Sequence, residues 1–258
     1  MNRFFSLMYG VVIYAVFLAT LSYAVLFIGD IAVPKTIDSG GVESPLFLAV
    51  AINALLLGTF AIQHSVMARQ GFKRVWTQVV PKHVERPTYV LAASLVLMLL
   101  LWEWRPIPQP VWELHGVAAT LLSVTFWLGW ALLLTSTFLI NHFELFGLKQ
   151  VWTNFRQKAH REATFRTPAL YKIVRHPLYL GFVIAFWSAP RMSLGHFIFA
   201  IACTGYILVG IYFEERDLVK AHGQAYRIYR EQVPMLVPFL RASKEKSVLA
   251  AAVPLDQR

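Results

Sequence analysis

The sequence predicts an all-α fold: a polytopic membrane bundle of about six transmembrane helices, the last two forming a C-terminal hairpin. Three observations carry this. Of the 258 residues, 57% are hydrophobic and only 15% charged, whereas a soluble domain carries about 25% charged residues. The mean hydropathy is +0.53, so the chain holds more apolar surface than one water-soluble core can bury. The basic residues also gather in alternate loops. Of 24 Lys and Arg, 21 lie at Arg3, in 69–87, in 141–177 and from 214 onwards, while 30–45 and 103–114 hold one each. Excess Lys and Arg marks the cytoplasmic side. Both termini are therefore expected in the cytoplasm, with the chain in the bacterial inner membrane.

The elements follow in order. Residues 4–29, "FFSLMYGVVIYAVFLATLSYAVLFIG", carry no charge and exceed the roughly 20 residues a spanning helix needs. The run is too long for a signal-peptide core and has no clear small-residue cleavage site, so it reads as an uncleaved first helix. Apolar runs at 46–67, 88–102 and 115–140 supply the second, third and fourth helices. Runs at 178–190 and 194–213, joined by "PRMS", supply the hairpin. The run at 178–190 is short, and Thr167 and Pro168 are suited to start its helix earlier, with Pro177 as a kink. No run reads as a strand, a soluble second domain or a long-period repeat. Residues 1–241 are thus expected to form one membrane domain and 242–258 a flexible cytoplasmic tail. The single Cys203 excludes an internal disulfide. The formal charge of +10 is spread between apolar runs, which points to the lipid bilayer as partner and away from nucleic acid.

The polar residues inside this pattern gather at one face. His64 ends the second helix, His142 and Glu144 end the fourth, Arg175 and His176 open the fifth, and Glu214 and Glu215 close the sixth. A basic residue at a helix end is ordinarily a headgroup anchor, which is the reading for Arg69, and a lone interfacial histidine is ordinarily structural. The adjacent carboxylates differ. They repel each other and oppose the helix dipole, so a cation or a hydroxyl-rich ligand must answer them. In a hairpin, residues 175–181 face 212–216. One side then offers a cation, an imidazole, the Tyr179 phenol and the bare backbone of Gly181, which lets a flat ring or a partner backbone approach closely. The mixture suits a small zwitterion with an ammonium, a diol and an aromatic ring. S-adenosylmethionine has all of these, and its sulfonium suits aromatic faces. The competing reading is a haem or metal protein with His64, His142 and His176 as ligands. No C-x-x-C-H occurs, and the expectation is no metal.

Arg175-His176-Pro177-Leu178-Tyr179-Leu180-Gly181 resembles the R-H-P-x-Y-x-G motif of the integral membrane methyltransferases, which include the isoprenylcysteine carboxyl and phospholipid N-methyltransferases. Glu214-Glu215 matches the acidic pair that follows one hairpin later, and Tyr226, Tyr229, Val233-Pro234 and Pro238 are similar to the family's tail. The resemblance implies a cofactor site for S-adenosylmethionine built from Arg175, His176, Tyr179, Gly181, Glu214 and Glu215. Upstream, "QHSVMAR" (63–69), "VERPTYV" (84–90) and "INHFELFGLKQVW" (140–152) resemble a narrower group of S-methyltransferases whose acceptor is methanethiol. That resemblance implies a small thiol substrate and dimethyl sulfide as product. Prenylcysteine carboxylate and lipid amine are the alternative acceptors.

A thiol reacts as thiolate and is mostly protonated at neutral pH, so a nearby base is useful. His142 is the first candidate, with Glu144 or Asn141 placed to orient it, and His64 the second. Phe143, Phe146 and Met67 are candidates for an apolar thiol pocket. The charge pattern makes one expectation testable here: reporter fusions at both ends should read as cytoplasmic. A C-terminal fusion that reads as periplasmic would overturn the six-span topology.

Overall fold

The computed structural model, in which residues 2–158 and 167–238 are described, is a helical bundle. Helix α1 (Arg3–Ile28) is capped by Asn2, whose side chain accepts from the Phe4 amide. Helix α2 (Leu46–Ala68) follows Pro45, and α3 (Gln70–Trp76) is a short turn of helix before α4 (Lys82–Glu103). Helix α5 (Gly116–Ile140) leads into two short helices, α6 (His142–Leu145) and α7 (Leu148–Phe155). Then come α8 (Pro177–Trp187), α9 (Leu194–His222) and α10 (Gln224–Gln232). Five of these, α1, α2, α4, α5 and α9, are long and apolar enough to cross a membrane. Their outer faces expose large apolar side chains such as Phe47 (87%), Trp102 (76%) and Val117 (76%). In water these would be an aggregation liability, whereas in a bilayer they face the solvent they match. The tail expected at 242–258 lies outside the described residues.

The fifth apolar run departs from expectation in form. Helix α8 has 11 residues, about 16 Å at 1.5 Å per residue, against a hydrocarbon core of about 30 Å. Thr167 and Pro168 do not start it; they precede a separate 3-10 turn, Ala169–Lys172. Pro177 is the first helical residue and not a kink. There its missing N–H costs nothing, because the first helical amides have no partner in any case.

The chain continues from α8 into non-helical residues 188–193, whose pairing corrects the expectation of no strand. Two short strands, β1 (Pro110–Glu113) and β2 (Arg191–Ser193), pair antiparallel, with Trp112 opposite Met192 and Glu113 opposite Arg191. Irregular backbone that is buried needs protein partners for its polar groups. Here the Trp112 indole donates to Ala189 O (3.0 Å), the Leu114 amide to Pro190 O (2.9 Å) and the His196 ring to Phe186 O (3.0 Å). Strands of three and four residues, the longer one opening on Pro110, leave no alternation to detect.

The same end is locked by polar pairs. Asn53, fully buried, donates to Arg105 O and accepts from Arg105 N, both at 2.8 Å. The indole of fully buried Trp104 donates to Ile37 O (3.0 Å), and Ser193 Oγ donates to Asp38. Inside, Phe27, Trp104, Phe126, Trp130, Phe186 and Phe199 belong to one apolar core.

Helix α8 packs most extensively on α5, and glycine makes this possible. A Cβ at Gly181 would stand 2.7 Å from Gly129 O, and one at Gly129 would stand 2.7 Å from Ala185 N. The two backbones therefore touch, as small residues permit between membrane helices. Gly181→Ala is expected to lower the melting temperature of the solubilised protein, since overpacking costs about 1–3 kcal/mol. Gly58→Ala, where a Cβ meets nothing within 4 Å, should leave it unchanged or raise it. Equal melting of wild type and Gly181→Ala would refute the contact.

Candidate active site

The mouth of α8 is built from charges that meet one another. His176 is the N-cap of α8, and its backbone N–H donates to Met235 O (3.2 Å), while the Arg175 amide donates to Pro234 O (2.9 Å). The chain after α10 thus folds back along Arg175-His176. The Arg175 side chain donates to Glu215 (Nε to Oε1, 2.7 Å), to Arg230 O (2.8 Å) and to Val233 O (2.6 Å). His176 Nε2 lies 3.1 Å from the same carboxylate oxygen, and Arg230 Nη1 lies 3.8 Å from Glu215 Oε2. The Arg175 and Glu215 side chains are only 9% and 11% exposed. The opposed charges anticipated across the hairpin are therefore in direct contact. Glu215 answers Arg175 and His176 before any ligand does.

Glu214 is different. Its side chain is 44% exposed, and its Oε2 stands 3.9 Å from His176 Nδ1. The Tyr179 hydroxyl faces it, and Tyr171 lies within its electrostatic reach. Burial raises the Tyr171 hydroxyl above its ordinary value and pushes that of Tyr229 up to about 12, so both stay protonated at neutral pH. Tyr229 donates to Tyr171 O (2.5 Å), tying α10 to the 3-10 turn. Gly181 is in close backbone contact with α5.

The two candidate bases sit in different surroundings. His142 is buried, with Nε2 at 2.7 Å from the Tyr14 hydroxyl and Nδ1 at 2.8 Å from Thr137 Oγ1. Its ring stacks on Phe138 at 4.2 Å. Burial holds its pKa below the ordinary histidine value. Neither Glu144 nor Asn141 supplies its bonds. Glu144 pairs with Lys149 (2.6 Å) and accepts from Asn141 Nδ2 (2.5 Å). His64 instead bonds the Tyr89 hydroxyl (2.9 Å from Nε2) and stacks on Phe60 (5.3 Å). Tyr89 packs in an apolar cluster that includes Met67 and Phe146, two of the three pocket candidates. Phe143 is half exposed and edge-on to His142.

Tyr89 and Tyr206 both lie within electrostatic reach of Tyr179. Tyr206 in turn bonds Ser65 (3.0 Å). A cleft of about 150 Å³, lined by Ser65, Val66, Arg69, Val209, Gly210 and Phe213, separates α2 from α9; His64 precedes Ser65 in sequence but does not line it. Arg69, read as a headgroup anchor, bridges the same two helices through Asp217 (3.1 Å) and the Phe213 ring (4.5 Å). His64, His142 and His176 each have their own protein partners and do not converge on one point. Among the described residues no three His, Cys, Asp or Glu are grouped to hold a metal.

Sequence reasoning missed Tyr14, Thr137, Tyr206 and Tyr171. Three of the four lie inside apolar runs, where a single hydroxyl gives no signal until a neighbouring helix supplies its partner.

Comparison with curated proteins finds close relatives over nearly the whole chain. It is 53% identical to the methanethiol S-methyltransferase of Mycobacterium tuberculosis, covering 93% of this chain and 98% of that protein. It is 52% identical to methanethiol S-methyltransferase 2 of Bradyrhizobium diazoefficiens, covering 94% and 93%, and 51% identical to the methanethiol S-methyltransferase of Crocosphaera subtropica, covering 93% and 94%. No family model and no solved structure matches the chain.

The contact pattern separates the two carboxylates. Glu215→Ala leaves Arg175 and His176 buried without their anion, and breaking a buried pair in this way costs about 3–5 kcal/mol. Its melting temperature should fall well below that of Glu214→Ala, which removes a half-exposed group. Equal melting of the two variants would refute the division.

Proposed function

Because the chain belongs to the methanethiol S-methyltransferase family, we propose that it transfers a methyl group from S-adenosylmethionine to methanethiol, giving dimethyl sulfide. The observation that carries the reading is whole-length identity of about half to relatives of that name. A small cleft between the apolar helices α2 and α9, one residue along α2 from His64, supports it. A substrate of one carbon and one sulfur needs no larger chamber.

The donor set at the α8 mouth fits the cofactor. Glu214 is half exposed, with the Tyr179 hydroxyl and the His176 ring beside it. A carboxylate of this kind can accept from a diol, and the tyrosine faces suit a cation. Arg175, His176 and Glu215 would act as the frame that fixes Glu214 and Tyr179, and Gly181 would act by seating α8 on α5. S-adenosylmethionine supplies a methyl on a sulfonium, which is already a good leaving group. What remains for the protein is to hold the sulfur close and aligned and to strip it of water.

The same geometry favours His64 over His142 as base. The two ring nitrogens of His142 are each bonded to a different side chain, Tyr14 and Thr137, whereas those of His64 share the single Tyr89 hydroxyl (2.9 and 3.1 Å), which engages one at a time. His64 shares its ring with Tyr89, which is in reach of Tyr179 and hence of the cofactor end. In this mechanism an imidazole nitrogen of His64 takes the thiol proton while Tyr89 orients the ring. His142 acts as a positioning residue that ties α5 to α1, and Glu144 holds the turn after α5 through Lys149.

Labelled methyl transfer from S-adenosylmethionine should mark methanethiol within a panel that also holds hydrogen sulfide, prenylcysteine and phosphatidylethanolamine. Labelling of prenylcysteine without methanethiol would overturn the acceptor. His64→Ala should lower kcat/KM by about 10²-fold or more, the usual worth of a general base, and flatten the acid side of the pH profile. Full activity in that variant would leave the cofactor's charge as the sole activator of the thiol.

A further inference from the structure

A second cavity lies away from the α8 mouth. Its volume is about 760 Å³, and its charged lining residues are Lys73, Arg74, Lys82, Glu85, Arg86 and Glu144. Four cations thus stand against two carboxylates, and Glu144 is already bridged by Lys149 at 2.6 Å. Among the described residues that line it, the cavity is net positive. Arg86 forms its inner wall in a fixed pose: Nε donates to Leu145 O (2.7 Å), and the guanidinium lies over the Tyr89 ring (4.9 Å).

The depth of this cavity follows from the helices around it. Helix α3, which supplies Lys73 and Arg74, has seven residues and does not span. Phe72 and Trp76 stack on it at 5.7 Å, and Val75 (65%) and Val79 (83%) beside it are exposed. Helix α7, after Glu144, exposes Trp152 (50%) and Phe155 (38%), stacked at 5.9 Å. Short amphipathic helices with exposed aromatic and apolar faces lie in the headgroup plane. A basic pocket between membrane helices at that depth meets phosphodiesters before any soluble anion.

We propose that this cavity holds the headgroup of one anionic phospholipid from the surrounding leaflet. The lipid phosphate would sit among Lys73, Arg74, Lys82 and Arg86, with its acyl chains against the apolar faces of α3 and α7. The inference does not depend on the methyl acceptor.

Native mass spectrometry of the full-length protein, offered equal phosphatidylglycerol and phosphatidylcholine, should detect one phosphatidylglycerol retained in preference. Each cation removed is expected to cost about fivefold in that preference, so Arg74→Gln with Lys82→Gln should nearly abolish it. Both side chains are exposed, and melting of the double variant checks that it folds. The pair Lys220→Gln with Arg227→Gln, on α9 and α10, should leave the preference intact. An equal loss in both pairs would mean general surface attraction and would overturn the site. Displacement of the lipid by inorganic phosphate at the same concentration would make it a soluble-anion site and would overturn the lipid. An unchanged preference in the Arg74/Lys82 double variant would overturn it outright.

Discussion

The ion cluster of Arg175, His176 and Glu215 is the constraint on which the polar end of the molecule depends. One carboxylate, nearly buried, accepts from an arginine and an imidazole that open α8. The same arginine holds the carbonyls of Arg230 and Val233, so the chain beyond α10 is bound to the same point. Three segments distant in sequence are thereby fixed together. A buried charge cluster of this kind adds little net stability compared with an apolar core of equal volume, but removing any one member leaves its partners stranded. What it supplies is position. Glu214 and Tyr179, next in line, inherit their places from it.

Helix α8 owes its own placement to the opposite kind of contact. Backbone touches backbone at Gly129 and Gly181, with no polar group exchanged. A short helix has little surface with which to resist sliding, and close van der Waals approach fixes its height against α5. At the other end of α8 the His196 ring answers the Phe186 carbonyl of its last turn, and the extended chain that follows is held by Trp112 and the Leu114 amide. Charge fixes one end of the element, packing its middle and hydrogen bonds its far end.

Much of this was legible in the sequence. Five of the six apolar runs became helices long enough to span, and the sixth became α8. The gathering of His64, His142, His176 and the acidic pair towards one face followed from counting spans. Three things were not legible. The β1–β2 ribbon is too short to show a period. The start of α8 was misplaced because Thr167-Pro168 carries a good helix-start signal that the 3-10 turn at Ala169 uses instead. The pairing of Arg175 with Glu215 was hidden because a pattern of opposed charges reads the same whether they grip a ligand or each other. Likewise Glu144 is two residues from His142, which suggested an orienter. On a helical turn such neighbours point apart, and Thr137 and Tyr14 fill the role.

The cleft between α2 and α9 has walls that continue into the outer surface, where Val66 (47%) and Val209 (55%) are exposed. For the reaction proposed, this makes solubility a driving force. Methanethiol carries one weak hydrogen-bond donor, its S–H, and dimethyl sulfide carries none. The product is thus the more oil-loving of the two, and it is formed beside oil. If the reaction proceeds in this cleft, escape of the product would run downhill into the hydrocarbon, with the bilayer as an extracting phase.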